Sequence, residues 1–346
     1  MILHRRIAAL TVSLLWPLAG AVTGASASSP STLPAHVYAP YYETYLSSTP
    51  SISSTAQSSG ARYFTLAFIQ SAGKGSCTPT WNGSTAQPIS AGAYSADIAT
   101  LRTVGGDVIP SFGGYSADQG GTEIADSCAT VSQIAAAYEA VIVEYGVTRL
   151  DMDVEARSLN NTAGIDRRNK AIALTEQWAA GQGIPLQIQY TLPAEPYGLD
   201  PNGIAVLQNA VADGAVVTSV NIMVFDYYQS REGTVNMGAA AVSAAQNLHS
   251  QLASIYPSDT SAQLWAMEAM TMLPGIDDYP KKTEVTSLSD AQTMLSFAQT
   301  NGMNFLSIWA IQRDNGGCPG TRDSNTCSGI TQNTWDFSHL LEPFTG

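Results

Sequence analysis

The stretch Leu150-Asp151-Met152-Asp153-Val154-Glu155 places three carboxylates at alternate positions and apolar side chains between them. Alternate residues of a β-strand face the same side. A strand here would turn all three acids one way and its apolar residues toward a core. Because like charges held together raise one another's pKa, the pattern is typical of a site that keeps a carboxyl protonated near neutral pH.

Two other interpretations of this stretch are a calcium loop and a solvated acidic edge strand. A calcium loop of the EF-hand type has polar spacers and a glycine at its sixth position, whereas this stretch has Met152 and Val154 as spacers and Ala156 at position six. The pattern of strands and helices in the surrounding chain makes a solvated edge strand the less favourable interpretation.

The overall composition limits the classes of partner. The chain has 346 residues, of which 45% are hydrophobic and 12% charged, and its formal net charge is −13. Such a chain can bury a large core. The negative charge argues against nucleic acid or an anionic membrane as a partner, and it is compatible with a neutral substrate such as a sugar.

The first 27 residues have the pattern of a secretory signal peptide. The positive segment is His4-Arg5-Arg6, the apolar stretch covers 7–22, and Ala25-Ser26-Ala27 is a small-residue cleavage site. The alternative of a membrane anchor is weakened by the short apolar stretch and by Pro17 within it. We therefore predict a signal peptide at 1–27, a polar leader at 28–35, a catalytic domain at 36–346, and a secreted protein without a membrane attachment after cleavage.

Four cysteines follow the predicted signal, and an even number in a secreted chain indicates two disulfides. Three pairings are possible. Cys318 and Cys327 share one loop rich in Gly, Asn and Ser, so we predict the pairs 318–327 and 77–128. The histidines are scattered and there is no Cys-x-x-Cys, so we expect neither a zinc site nor a cofactor.

Strand and helix patterns alternate along the rest of the chain. The predicted strands cover 36–40, 62–70, 107–112, 150–155, 185–192, 219–228, 263–270 and 304–311. The predicted helices cover 91–104, 131–145 (ending at Gly146), 164–181, 203–213, 237–256, 289–300 and 337–341. Eight strands with helices between them favour a (β/α)8 TIM barrel. A doubly wound sheet would need a glycine-rich phosphate loop after the first strand, which this sequence lacks. In a barrel, Glu155, the last residue of the fourth predicted strand, lies at the catalytic face.

The motifs on these strands resemble those of glycoside hydrolase family 18, the chitinase family, and the overall pattern resembles its short bacterial secreted members over residues 36–340. Four stretches carry the resemblance in the family's order: Asp-x-Asp-x-Glu on the fourth strand, Ser111-Phe112-Gly113-Gly114 on the third, Asn221-Ile222-Met223-Val224-Phe225-Asp226-Tyr227 on the sixth, and Trp309 on the eighth. The chain departs from the family at Thr148, where the longer motif has an Asp, and at Phe225, which replaces a Tyr.

The resemblance implies a chitin-hydrolysing enzyme that uses the substrate's own acetamido group as nucleophile. Glu155 would be the general acid and base, Asp153 would orient the acetamido group, and Asp151 would share a proton with Asp153. The implied substrate-binding residues are Asp226 and Tyr227, which would hold the acetamido group, Met223 in the same motif, Trp309 as the floor of the sugar site, and, more weakly, Tyr41 and Trp81. The glycines at 113 and 114 would let the backbone pass close to the substrate.

Many family members carry an α+β insertion between the seventh and eighth strands. Here the segment 271–288 is too short for such an insertion, so we expect a single-domain barrel with an open groove. An enzyme with an open groove is expected to cut within chains. We also expect the protein to be a monomer.

Two other functions share the motifs. An endo-β-N-acetylglucosaminidase would cut N-glycan cores, and a chitinase-like lectin would bind without cutting, although such lectins usually lack the acid that Glu155 provides.

Overall fold

The structure is a computed structural model that describes residues 32–47, 49–227, 236–278, 284–322 and 324–346. The predicted signal peptide lies outside these residues. The strands are β1 (Val37–Tyr38), β2 (Tyr41–Glu43), β3 (Tyr63–Ser71), β4 (Pro79–Trp81), β5 (Asp107–Gly113), β6 (Arg149–Asp153), β7 (Gln187–Glu195), β8 (Gly198–Leu199), β9 (Val217–Met223), β10 (Glu268–Met272), β11 (Gly275–Ile276), β12 (Val285–Thr286) and β13 (Phe305–Ile308).

Helices connect most of the barrel strands. They are α1 (Ile52–Ser59), α2 (Ser95–Thr103), α3 (Tyr115–Gly120), α4 (Ile124–Ser127), α5 (Val131–Tyr145), α6 (Thr162–Gly181), α7 (Pro201–Asp213), α8 (Met237–Ile255), α9 (Ser261–Trp265), α10 (Leu288–Asn301) and α11 (Asp336–Leu341). Helix α5 has the predicted bounds, and Gly146 ends it in the left-handed conformation at φ 58°. That conformation suits glycine, which has no Cβ to clash.

The sheet closes into a barrel of parallel strands. Its order is β1-β13-β10-β9-β7-β6-β5-β3-β2. The first barrel strand is split into two pieces, since β1 pairs with β13 and β2 pairs with β3. The predicted (β/α)8 barrel is therefore confirmed, with β6 as its fourth strand.

The fourth barrel strand separates its two faces as the alternation predicted. Leu150, Met152 and Val154 are buried in the main apolar core. Asp151 and Asp153 belong to the other face, which is inside the barrel. The strand ends at Asp153, however, so the prediction that Glu155 is its last residue was wrong by two positions.

Most other predicted strands differ from the structure by one to three residues at an end, and two differ by more. The prediction at 263–270 was wrong at its start, because Thr260 and Gln263 form a capping box that begins helix α9, and β10 follows it. The strand predicted at 219–228 ends at Met223; residue 228 lies outside the described residues. The sequence patterns also missed α1, the short antiparallel strand β4 and the hairpin formed by β11 and β12.

Covalent links and a short hairpin complete the catalytic end of the barrel. The predicted disulfides Cys77–Cys128 and Cys318–Cys327 are confirmed, with Cα atoms 4.8 and 6.0 Å apart. The β11–β12 hairpin lies between β10 and α10. None of the helices within the described residues is long and apolar enough to cross a membrane.

Candidate active site

Asp151 is the innermost carboxylate, and it is fully buried. Its Oδ2 accepts hydrogen bonds from Tyr41 Oη at 2.9 Å and Ser111 Oγ at 2.6 Å, and its Oδ1 accepts from Gln189 Nε2 at 3.1 Å and Thr191 Oγ1 at 2.7 Å. These donors favour the charged form, but burial outweighs them and raises the pKa of Asp151. With four donors from three other strands, β2, β5 and β7, the Asp151 carboxyl is a fixed hydrogen-bond acceptor in the barrel interior.

Asp153 is the last residue of β6 and lines a cavity of about 760 Å³ at the C-terminal end of the barrel. Its side chain is almost completely buried, and its Oδ1 has no hydrogen-bond partner among the described residues. Burial first, and then the charges of Glu155, Asp151 and Asp118, raise its pKa well above the ordinary value. The influence of Asp151 on Asp153 is thus electrostatic, because Asp151 uses its oxygens on the four donors above.

Glu155 lies two residues beyond the strand, half-buried in the wall of the same cavity. Its backbone N–H donates to Asp118 Oδ2, and the next residue, Ala156, has a φ of 44° that turns the chain away from the barrel. Burial raises the pKa of Glu155 to about 7. A carboxyl with that pKa carries a proton in a large fraction of molecules near neutral pH, as a general acid requires.

Gly113 and Gly114 are closely surrounded by neighbouring barrel strands. A Cβ on Gly113 would lie 2.1 Å from the carbonyl oxygen of Asp153, and a Cβ on Gly114 would lie 2.6 Å from the ring of Phe68. The close approach of this backbone to the substrate stays a prediction. The two glycines leave room for the catalytic strand's own backbone and for an aromatic wall.

Three aromatic rings form one side of the cavity. Trp309 directly follows β13, and its ring stacks on Phe68 with centroids 5.4 Å apart and planes 18° apart. Tyr41 meets Trp309 edge to face at 5.4 Å while its hydroxyl is held by Asp151. Trp81, the weaker candidate, is instead buried in the core, where its Nε1 donates to Tyr145 Oη at 2.8 Å.

The residues after the sixth barrel strand divide between the cavity and the core. Met223, Phe225 and Asp226 line the cavity. Tyr227 does not: its ring is fully buried in the main core. The prediction that Tyr227 contacts the acetamido group is therefore wrong, because Asp226 has a φ of 51° and the chain no longer alternates as a strand.

Asp226 is held as a neutral acid. Its backbone N–H donates to Asp277 Oδ2 at 3.0 Å, and burial, followed by a hydrogen bond with the Asp277 side chain, raises the pKa of Asp226 to about 9. Below that pH the carboxyl carries a proton, which its hydrogen bond with the Asp277 side chain holds in place.

Several residues that line the cavity were not predicted from the sequence. Tyr115 and Tyr45 are large aromatic side chains, 57% and 43% exposed, that contribute to the wall. Asn82, Asp278 and Asn325 add polar groups. Tyr115 could have been found from its position directly after Gly114, at the end of a barrel strand; the others come from loops that carry no sequence motif.

The described residues contain no group of three or more His, Cys, Asp or Glu side chains arranged to hold a metal ion. The cavity walls instead combine carboxyl groups of raised pKa, an aromatic surface and neutral polar groups. Active sites of (β/α)8 barrel enzymes lie at this end of the barrel, and paired carboxyl groups are the catalytic groups of most glycosidases.

Comparisons with known proteins agree with the glycosidase class. The chain is 35% identical over 321 residues to the probable bifunctional chitinase/lysozyme of Escherichia coli K12, covering 90% of this chain and 35% of that protein. It is 33% identical over 287 residues to endochitinase 11 of Metarhizium anisopliae, covering 81% of this chain and 53% of that protein. The chain thus spans about a third and about half of these curated relatives. No protein-family model matches it.

Solved structures of active domain 2 of the Pyrococcus furiosus chitinase have the same fold. Its catalytic-site mutants superpose with a TM-score of 0.79 at 29% identity, covering 91% of this chain and 97% of that one. Mutants complexed with chito-oligosaccharides give a TM-score of 0.77 at 28% identity and cover 92% and 97%. The chain is accordingly chitinase-like: it is similar to these proteins over most of its own length, and its barrel has the fold of a chitinase catalytic domain.

Proposed function

We propose that this protein is a secreted, endo-acting chitinase that hydrolyses β-1,4 linkages between N-acetylglucosamine units with retention of configuration. The observation that carries the proposal is the pair Asp153 and Glu155, two residues apart on one wall of the cavity, each with a raised pKa. The relatives named for chitin cleavage support the choice of substrate.

The placement of this pair favours a nucleophile from the substrate. Ordinary retaining glycosidases use carboxyl groups on opposite sides of the scissile bond, about 5–5.5 Å apart. Asp153 and Glu155 belong to one chain segment and share a wall, so they are poorly placed to bracket a sugar ring. The acetamido oxygen of an N-acetylglucosamine unit can attack its own anomeric carbon instead.

In the first proposed step, Glu155 gives its proton to the glycosidic oxygen while the acetamido oxygen bonds to the anomeric carbon and the glycosidic bond breaks. The product is an oxazolinium ion and a free leaving sugar. Asp153, in its carboxylate form, accepts the acetamido N–H and balances the positive charge that develops. In the second step, water attacks the anomeric carbon while the Glu155 carboxylate takes one of its protons. The bond between that carbon and the acetamido oxygen breaks, which restores the acetamido group and leaves a β-anomer.

The cavity offers a partner for each part of the proposed substrate. Asp226 and Met223 lie on one stretch of the cavity wall, where they would line the acetamido group. The stacked pair of Trp309 and Phe68 provides an apolar surface for a sugar face. Tyr41 connects this surface to the buried Asp151.

A side-by-side assay tests this function. We expect cleavage of chitin oligosaccharides, release of the β-anomer as first product in a proton NMR time course, and inhibition by a thiazoline analogue of N-acetylglucosamine, since that analogue resembles the oxazolinium ion. A high-mannose glycoprotein serves as the competing substrate. Preferential release of its glycan would favour the endo-β-N-acetylglucosaminidase, binding without cleavage would favour a lectin, and an α-anomer would exclude the substrate-assisted route.

We also expect cleavage within long chains. The segment between β10 and α10 carries a short hairpin rather than a further domain, so sugars on both sides of the cut can enter in the middle of a polymer. With a soluble chitin derivative, viscosity should fall early, before much reducing sugar appears. A slow loss of viscosity with a disaccharide as almost the sole early product would contradict endo cleavage.

A further inference from the structure

A fourth carboxyl group, Asp118, contacts the backbone of the proposed acid. Asp118 belongs to α3, directly after the glycine pair, and its side chain is fully buried. Its Oδ2 accepts the backbone N–H of Glu155, while its Oδ1 has no hydrogen-bond partner among the described residues. The carboxyl does not cap its own short helix, so its ordered contact is with the catalytic segment.

This contact lies where the catalytic chain leaves the sheet. The backbone N–H of Val154 still bonds across to the carbonyl of Thr191 at 3.0 Å, as a strand residue would. Asp118, and not a neighbouring strand, accepts the next donor, the N–H of Glu155. One residue later the chain turns at Ala156. A buried N–H without an acceptor would be costly, so Asp118 fixes the backbone from which the acid's side chain extends.

The charges around Asp118 disfavour its ionised form, so its hydrogen bond to the Glu155 N–H depends on an acceptor oxygen and not on a negative charge. Burial, and then the charges of Glu123 and Glu155, raise the pKa of Asp118 well above its ordinary value, whereas the Glu155 N–H and Arg168 lower it. Arg168 is itself paired with Glu123, whose Oε2 lies 2.7 Å from its Nη2. The carbonyl oxygen of an acid or an amide can accept an N–H equally well.

We propose that Asp118 is a positioning residue for the proposed reaction: its side-chain oxygen holds the Glu155 backbone so that the Glu155 carboxyl stays in reach of the scissile bond. The inference rests on the proposed function of Glu155 and adds a residue that contacts neither the substrate nor the reacting atoms. A misplacement of about 1 Å in an acid can cost about 10²-fold in rate.

The test compares Asp118→Asn with Asp118→Leu, which have similar shapes but differ in the acceptor oxygen. We expect Asp118→Leu to lower kcat by about 30- to 100-fold while KM changes by less than about threefold, because the cavity walls remain. Asp118→Asn should stay within about fivefold of the wild-type kcat. If the leucine variant does not fold, as judged by its melting curve, Asp118→Ala takes its place against the same asparagine variant.

A matched control is Glu268→Gln, which changes another fully buried carboxyl at the start of β10, the opposite end of the barrel. We expect it to keep the wild-type kcat. The inference is overturned if Asp118→Leu keeps kcat within about threefold, if Asp118→Asn loses as much as the leucine variant, or if the control loses as much as either. Rates are measured on whichever substrate the wild type cleaves, so failure to cut chitin would overturn the proposed function alone.

Discussion

Glu155→Gln should lower kcat on chitin oligosaccharides by about 10³-fold or more while leaving oligosaccharide binding nearly intact. The amide keeps the size and position of the side chain but has no proton to give to the leaving oxygen, and general acid catalysis alone contributes about 10²- to 10⁴-fold. Loss of the second, basic role in water activation adds to the effect. Binding can be followed by calorimetry or by the fluorescence of Trp309, which lines the same cavity.

The pH profile provides an independent check on the same residue. Because burial raises the pKa of Glu155 to about 7, the protonated form that starts the reaction is lost as the pH rises through that value. The wild-type rate should therefore fall on the alkaline side, and the residual rate of the Glu155→Gln variant should lack this limb. Activity above a few per cent of wild type, with the limb retained, would show that another group is the acid.

Asp153→Asn should be the next most damaging change, with a fall in kcat of about 10²-fold, a typical cost of removing one electrostatic contact to a transition state. The amide oxygen can still accept the acetamido N–H, but it no longer offers a negative charge to the oxazolinium ion. Binding of the thiazoline inhibitor should weaken with kcat, whereas binding of an uncleaved oligosaccharide should change little. Melting curves and the Glu268→Gln control separate this effect from instability.

Two results for Asp153→Asn would contradict a role of Asp153 in charge balance. If Asp153→Asn keeps more than about a tenth of the wild-type rate, or if it weakens substrate and thiazoline by the same factor, then Asp153 contributes to binding and not to charge balance in the intermediate. Asp151 would then be the better candidate for that role, although its oxygens are occupied by four donors in the structure.

Most of the fold could be predicted from the sequence because its apolar residues recur with clear strand and helix periods. Alternating β and α segments predicted the (β/α)8 barrel. For α5, the helical period of the apolar residues predicted its extent and Gly146 predicted its C-terminal end. The error at 263–270 arose where two effects compete: the apolar residues suggest a strand, but the side chains of Thr260 and Gln263 satisfy a helix N-terminus and begin α9. Local hydrogen bonding outweighed the apolar pattern there.

The candidate site was predictable only where residues follow strand alternation. Asp151 and Asp153 occupy the barrel interior as predicted, but Tyr227 lies beyond the end of β9, where the positive φ of Asp226 directs the chain into the core. Asp118 could not be found at all, because its contact with Glu155 joins residues 37 positions apart and depends on how α3 packs after Gly114.

The buried guanidinium of Arg313 joins two separate loops at the rim of the cavity. It donates to Asp278 Oδ1 at 2.7 Å, to the carbonyl of Ile276 at 2.7 Å and to the carbonyl of Ser324 at 2.6 Å. Ser324 and the cavity residue Asn325 lie inside the ring closed by Cys318–Cys327. An engineer who grafts a new substrate rim onto this scaffold would therefore have to transplant the hairpin, the cystine loop and Arg313 as one module.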